Sequence, residues 1–118
     1  MSKIQEDFDG YFVMNADRTS DDIAIGHADV LSVQAVMTIT DAVGTLKLQM
    51  SNDRTNWVDG YFAVNGDTET LTDGYDVDSV DSNLLLSTPV ISSWAKLAYT
   101  STSGTGGLTY YVWKGKRS

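Results

Sequence analysis

The sequence predicts an all-β protein, an antiparallel β-sandwich or jelly roll of about eight short strands. Three observations predict it. Apolar and polar residues alternate with a period of two along much of the chain. Serine and threonine are abundant among β-branched and aromatic residues, a mixture that suits strands with polar outer faces. No window carries a helical apolar period, and polar turn sequences recur throughout. At 118 residues and 42% hydrophobic content the chain is long enough to bury a core without disulfides, and it has no cysteine to form them.

The elements follow in chain order. DGYF at residues 9–12 opens a strand, Tyr11 to Met14, that leaves through Asn15-Ala16-Asp17. Leu31 to Thr40 alternates cleanly, with Leu31, Val33, Ala35, Met37 and Ile39 on one face. Asp41 to Gly44 reads as a turn. Thr45 to Met50 alternates again, with Leu46, Leu48 and Met50 inward, so the two strands read as an antiparallel hairpin. Ser51 to Asn56 is a polar corner whose short side chains can bond nearby backbone N–H groups. Trp57 begins a third strand, to about Val64, with the indole folded over the corner.

The second DGYF, residues 59–62, lies in that strand. DGYFVMNAD and DGYFAVNGD, residues 9–17 and 59–67, read as two equivalent strands with equivalent turns. Residues 67–82 read as an irregular acidic stretch, with a short strand at Thr68 to Leu71 and a turn at Asp73-Gly74. Leu84 to Leu86 and Trp94 to Thr100 are strands; in the latter Ala95, Leu97 and Tyr99 share a face. Ser101 to Gly107 reads as a flexible glycine-rich connection before the last strand, Leu108 to Trp113. The chain thus divides into a flexible N-terminal arm (1–10), a β-sandwich domain (11–114) and a basic C-terminal tail (115–118).

Charge and composition exclude function classes. Sixteen acidic residues against eight basic ones give a net charge of −8, the wrong sign for a nucleic-acid footprint or an anionic membrane surface. No segment approaches the roughly 18 consecutive apolar residues of a spanning helix. The N-terminus lacks an apolar signal region, as expected of a protein made in the cytoplasm and not processed. One histidine, His27, and no cysteine leave no ligand set for zinc, and His27 reads as a polar surface residue. The Asp pairs fall in turn sequences, so no catalytic residue is assigned and no enzyme is expected.

Two groups of candidate site residues remain. Asp73, Asp76, Asp78 and Asp81 supply closely spaced carboxylates of the kind calcium uses, but without the glycine and terminal glutamate of an EF-hand loop. A solvated acidic loop is the reading the spacing favours, and calcium the only cofactor that enters at all. Tyr111 and Trp113, with the basic Lys114, Lys116 and Arg117, are the candidate interface residues. Adjacent Tyr110 and Tyr111 must point to opposite faces, and an outward tyrosine on a sheet is a frequent protein contact. The aromatics also admit a sugar-stacking face.

Two stretches resemble a known family. Gly44-Thr45-Leu46-Lys47-Leu48-Gln49-Met50-Ser51-Asn52-Asp53, then Asn56-Trp57, is similar to the GTLxVQxSNDGxxW stretch of small β-sandwich virion proteins of tailed phages. Trp94 to Thr100, followed by Ser103 to Leu108, is similar to their RLxYTxxSGTGTL stretch, and Gly115-Lys116 to their common end. The resemblance runs over about residues 31–116, with 67–93 unmatched. Arg54 stands where that family has glycine, and Trp94 where arginine is frequent. The resemblance implies a non-enzymatic structural protein of the virion, made in the host cytoplasm. Its implied role is a capsid decoration or stabilising protein that binds the major capsid protein or other virion proteins. It also implies a homo-oligomer, with a trimer on local three-fold axes. An S-x-D-G-x-x-W stretch also occurs in galactose-binding-like sandwich domains, so the alternative is a carbohydrate-binding module on a tail or fibre.

Overall fold

The period of two in the sequence becomes two antiparallel sheets whose apolar faces meet. The computed structural model describes residues 3–4, 8–26, 28–89 and 92–116. Among them run β1 (Lys3–Ile4), β2 (Phe8–Val13), β3 (Arg18–Thr19), β4 (Ile23–Ala24), β5 (Val30–Ile39), β6 (Val43–Ser51) and β7 (Val58–Asp59). Then come β8 (Phe62–Val64), β9 (Asp67–Thr72), β10 (Tyr75–Asp78), β11 (Ser82–Pro89), β12 (Trp94–Ser103) and β13 (Gly106–Lys116). The larger, seven-stranded sheet has the order β1-β13-β5-β11-β8-β9, with β2 also paired to β13. The smaller, six-stranded sheet has the order β10-β6-β12-β3, with β4 on β12 and β7 on β6.

The expected alternation is present where it was longest. Leu31, Val33, Ala35 and Met37 of β5 are buried, as are Leu46, Leu48 and Met50 of β6 and Ala95, Leu97 and Tyr99 of β12. β13 adds Leu108, Tyr110 and Val112, and β11 adds Leu84 and Leu86. Each fully buried large side chain stabilises the fold by about 1.5–3 kcal/mol relative to exposure, so these stripes hold the two sheets together.

Four expectations are corrected. First, β5 and β6 are not a hairpin: β5 pairs with β11 and β13 in the larger sheet, and β6 with β7, β10 and β12 in the smaller. Ala42, fully buried, turns inward between them, so the two apolar stripes face each other across the core. The corner is locked from outside. Thr40 and Asp41 N–H both donate to the Thr105 carbonyl (3.2 and 3.1 Å), and the Asp41 carboxylate accepts the Thr105 N–H (2.8 Å).

Second, Ser101 to Gly107 is no loose connection. β12 runs to Ser103 and β13 starts at Gly106, leaving a tight corner at Gly104 with φ +77°. A Cβ at Gly104 would collide with the Asp41 backbone, so only glycine fits both the angle and the space.

Third, residues 57–64 are not one strand. Val58–Asp59 pairs with β6, and Phe62–Val64 pairs with β11 and β9, so the chain changes sheet at Gly60-Tyr61. The two DGYF copies therefore differ in setting: the first lies inside β2, paired with β13, and the second spans a crossing. Both bury the phenylalanine and expose the tyrosine.

Fourth, the strands outnumber eight. The additional ones include two-residue pairings, too short to leave a period in the sequence, and β10, hidden in the acidic stretch. Of the segment expected as an arm, residues 3–4 and 8–10 pair with β13. His27 lies outside the described residues.

Candidate functional site

The two sheets present two outer faces, and they are built differently. On the smaller sheet the SNDRTNW corner organises itself. The Ser51 hydroxyl accepts from Asp53 and Arg54 N–H (3.2 and 2.9 Å) and donates to the Asp53 carboxylate (2.8 Å). That carboxylate also accepts the Thr55 and Asn56 N–H groups (both 2.9 Å) and the Asn56 amide (2.8 Å). The Asn56 backbone bond above all, then that of Thr55, holds the Asp53 carboxyl far below the usual carboxylate range.

Arg54 sits at φ +62°, the left-handed conformation that the glycine of the resembled motif would favour. Its guanidinium lies 4.3 Å over the Trp94 ring and reaches Asp22 at 3.0 Å. The two departures from that motif therefore touch each other. Lys96 lies 4.2 Å over Trp57. Lys47 donates to Asp59 (2.8 Å), as does Gln49 (3.0 Å). The Lys47 hydrogen bond, then that of Gln49, lowers the Asp59 carboxyl, and Asp59 in turn raises Lys47. These cations, anions and rings of the smaller sheet pair with each other.

The outer face of the larger sheet has no such network. Register places Asp9, Tyr111, Gln34 and Leu85 side by side across β2, β13, β5 and β11. The neighbouring row is Tyr11, Thr109, Val36 and Asn83. Among the described outward residues of these four strands only Asp9 carries a charge. Tyr11 is 62% exposed, Tyr111 48%, and Leu85 and Val13 are also exposed. Gly107 and Gly115 share the outward parity of Tyr111 on β13. A Cβ on Gly107 would meet the Tyr11 ring and one on Gly115 the Trp113 ring, so both aromatics lie low over bare backbone.

The result is a nearly neutral surface with two open grooves. One, of about 400 Å³, is lined by Asp9, Ser32, Gln34, Leu85, Tyr111 and Trp113. The other, of about 450 Å³, is lined by residues including Tyr11, Val13, Val36, Thr38 and Thr109. They occupy opposite ends of the β13–β5 pair. Such a surface can bury apolar area and exchange hydrogen bonds; it offers no charged group for acid–base work beyond Asp9.

The sequence-predicted residues divide accordingly. Tyr111 and Trp113 lie on this face. Lys114 points the other way: it is 7% exposed and its ammonium donates to the Ala24 carbonyl at 2.7 Å. Lys116 ends β13, and Arg117 lies outside the described residues. The four aspartates are spread out. Asp73 is in the turn before β10, Asp76 and Asp78 are on β10, and Asp81 accepts the Ile39 N–H at 2.6 Å. No three His, Asp or Glu side chains among the described residues form a group suited to a metal. Sequence reasoning missed Tyr11, Gln34, Val36 and Leu85 as members of the face. The alternation of β2 and β5 gave their outward parity, but only strand order makes them neighbours.

No protein-family model matches the chain, and no curated protein matches it. Among solved structures, the crystal structure of the SPBc2 prophage-derived protein YomS is similar to this one with a TM-score of 0.61. The likeness covers 94% of this chain and 97% of that chain at 11% sequence identity, and is a likeness of fold.

Proposed function

We propose that this chain is a non-enzymatic structural protein of a phage particle, acting as a capsid decoration or stabilising protein. The observation that carries the reading is the outer face of β2, β13, β5 and β11 in the larger sheet: a nearly uncharged surface with exposed tyrosines and leucine on an otherwise acidic chain. Contiguous exposed apolar surface marks an interaction site, and tyrosine is enriched at the energetic centres of interfaces. Two further observations support the phage setting: the SNDxxxW and SGTGG stretches resemble phage virion proteins, and the fold is similar to that of a prophage-derived protein.

The mechanism is mechanical. A folded unit that binds assembled subunits but not separated ones shifts the equilibrium toward assembly. Many copies, each burying modest area, add their contributions across the shell. The partners in this reading are the major capsid protein or other virion proteins and further copies of the chain. The test is to purify particles of the phage or prophage that encodes the chain, with and without the gene. The expected result is the chain in fixed stoichiometry to the shell protein, with particles lacking it losing their contents at lower temperature. Its absence from purified particles would overturn the reading.

One observation favours carbohydrate binding instead. The groove at Tyr111 and Trp113 sets aromatic rings beside the Gln34 amide and the Asp9 carboxylate, a combination that suits a sugar. Trp57 and Trp94 each already carry a cation over one ring face. Calorimetric titration with oligosaccharides, abolished by Trp113→Ala, is the result that would establish this second reading.

A further inference from the structure

We infer that the outer face of the larger sheet docks against the same face of a second copy, forming a two-fold symmetric dimer. The inference rests on the reading of this face as a binding surface and names its partner.

Charge selects the partner. Two copies of a chain with net charge −8 repel wherever acidic surface meets acidic surface. Across β2, β13, β5 and β11 only Asp9 is charged among the described outward residues, so here two copies approach at little electrostatic cost. The smaller sheet gives the contrast: Asp76 and Asp78 stand exposed on β10, beside the ion pairs of Asp22 with Arg54 and Asp59 with Lys47. A strongly basic partner would find its complement there, not on the neutral face.

Shape selects the symmetry. The face carries exposed rings and hollows together: Tyr111 lines a groove of about 400 Å³ at one end, and Tyr11, laid over Gly107, lines one of about 450 Å³ at the other. A two-fold axis brings every exposed ring of one copy to the same hollow that the partner's ring meets in return. The chain's own core shows that its twisted sheets pack face to face, and two identical sheets share that twist. Tyr11 and Trp113, laid flat over Gly107 and Gly115, keep the surface low enough for a second sheet to approach.

The test is light scattering behind size exclusion on the full chain, over a dilution series. The expected mass is twice 12.9 kDa at high concentration, falling toward 12.9 kDa on dilution. Tyr111→Asp places a carboxylate in the middle of the face and should give monomer at every concentration. Val58→Asp changes an equally exposed apolar residue on β7 of the smaller sheet and should leave the dimer intact. Circular dichroism and the melting temperature check that each variant is folded; Tyr111→Ser serves if the aspartate does not fold. Wild-type monomer up to about 1 mM, where even weak affinity registers, would overturn the inference. So would a dimer indifferent to Tyr111, or a mass of three copies. Incorporation into particles separates the two readings. A chain found in particles but always monomeric refutes only the dimer, and a dimer never found in particles refutes only the virion role.

Discussion

The outer faces of the two sheets use similar residue types to opposite ends. On the smaller sheet, Arg54 covers Trp94, Lys96 covers Trp57, and Lys47 and Gln49 share Asp59. On the larger sheet, Tyr11, Tyr111 and Leu85 stand exposed across β2, β13, β5 and β11, a surface with almost no charge. A polar surface that satisfies itself needs only water beyond it. An exposed aromatic surface stays unfinished until something covers it. The difference teaches that counting aromatics does not find an interface; what lies over each ring does.

The largest expected effects test the common ground of the comparison, the core beneath both faces. Leu97→Ala under the smaller sheet and Leu108→Ala under the larger should each cost about 2–5 kcal/mol, as for other fully buried leucines. Denaturant unfolding measures both. If one loss were silent, the sheets would not form one cooperative unit, and the faces could not be compared as sides of one body.

Acid comes next, and should act through the smaller sheet. Asp53 and Asp59 are held below the usual carboxylate range in the folded chain. The unfolded chain therefore binds protons more readily, and stability falls as pH drops below about 3.9 toward the lower folded values. Melting temperature against pH should show this fall. Asp53→Asn should flatten it and lower the melting temperature at neutral pH, whereas Tyr111→Ser should leave its shape unchanged.

Arg54 gives a smaller, two-signed effect. Arg54→Ala keeps the left-handed backbone and loses the Trp94 and Asp22 contacts, costing about 1 kcal/mol. Arg54→Gly loses the same contacts but relieves about 1 kcal/mol of backbone cost, so it should lie close to wild type in chemical denaturation. The smallest effect belongs to the larger sheet. Tyr111→Ser should change monomer stability by no more than about 0.5 kcal/mol, as at other exposed sites, because within one chain the ring is largely uncovered.

Much of the fold was legible because its signal is local. The alternation through β5, β6 and β12 identified the buried residues, and the Ser51–Asn56 corner was readable from side chains that bond their own backbone. Strand partners were not readable. The apolar stripes of β5 and β6 fit a hairpin or a sheet crossing equally well, and the decision rests on Thr105 clasping Asp41 from a distant part of the chain. The two DGYF copies had the same letters but different partners. For the face, the outward parity of Tyr111 and Trp113 was visible. Its extent was not, since Tyr11, Gln34 and Leu85 become neighbours only through strand order. Lys114 read as part of a basic tail because its inward parity was overshadowed by its charge.

The central claim, that another molecule covers the outer face of β2, β13, β5 and β11, is tested by Tyr11 on β2 and Val58 on β7, which are 62% and 65% exposed in the single chain and lie on different sheets. The measurement is hydroxyl-radical footprinting in dilute and in concentrated protein, read by peptide mass spectrometry. Tyr11 and Tyr111 are expected to become protected as the chain associates, while Val58 keeps its dilute reactivity. Unchanged Tyr11 and Tyr111 in an associated sample, or protection of Val58 in their place, would contradict it.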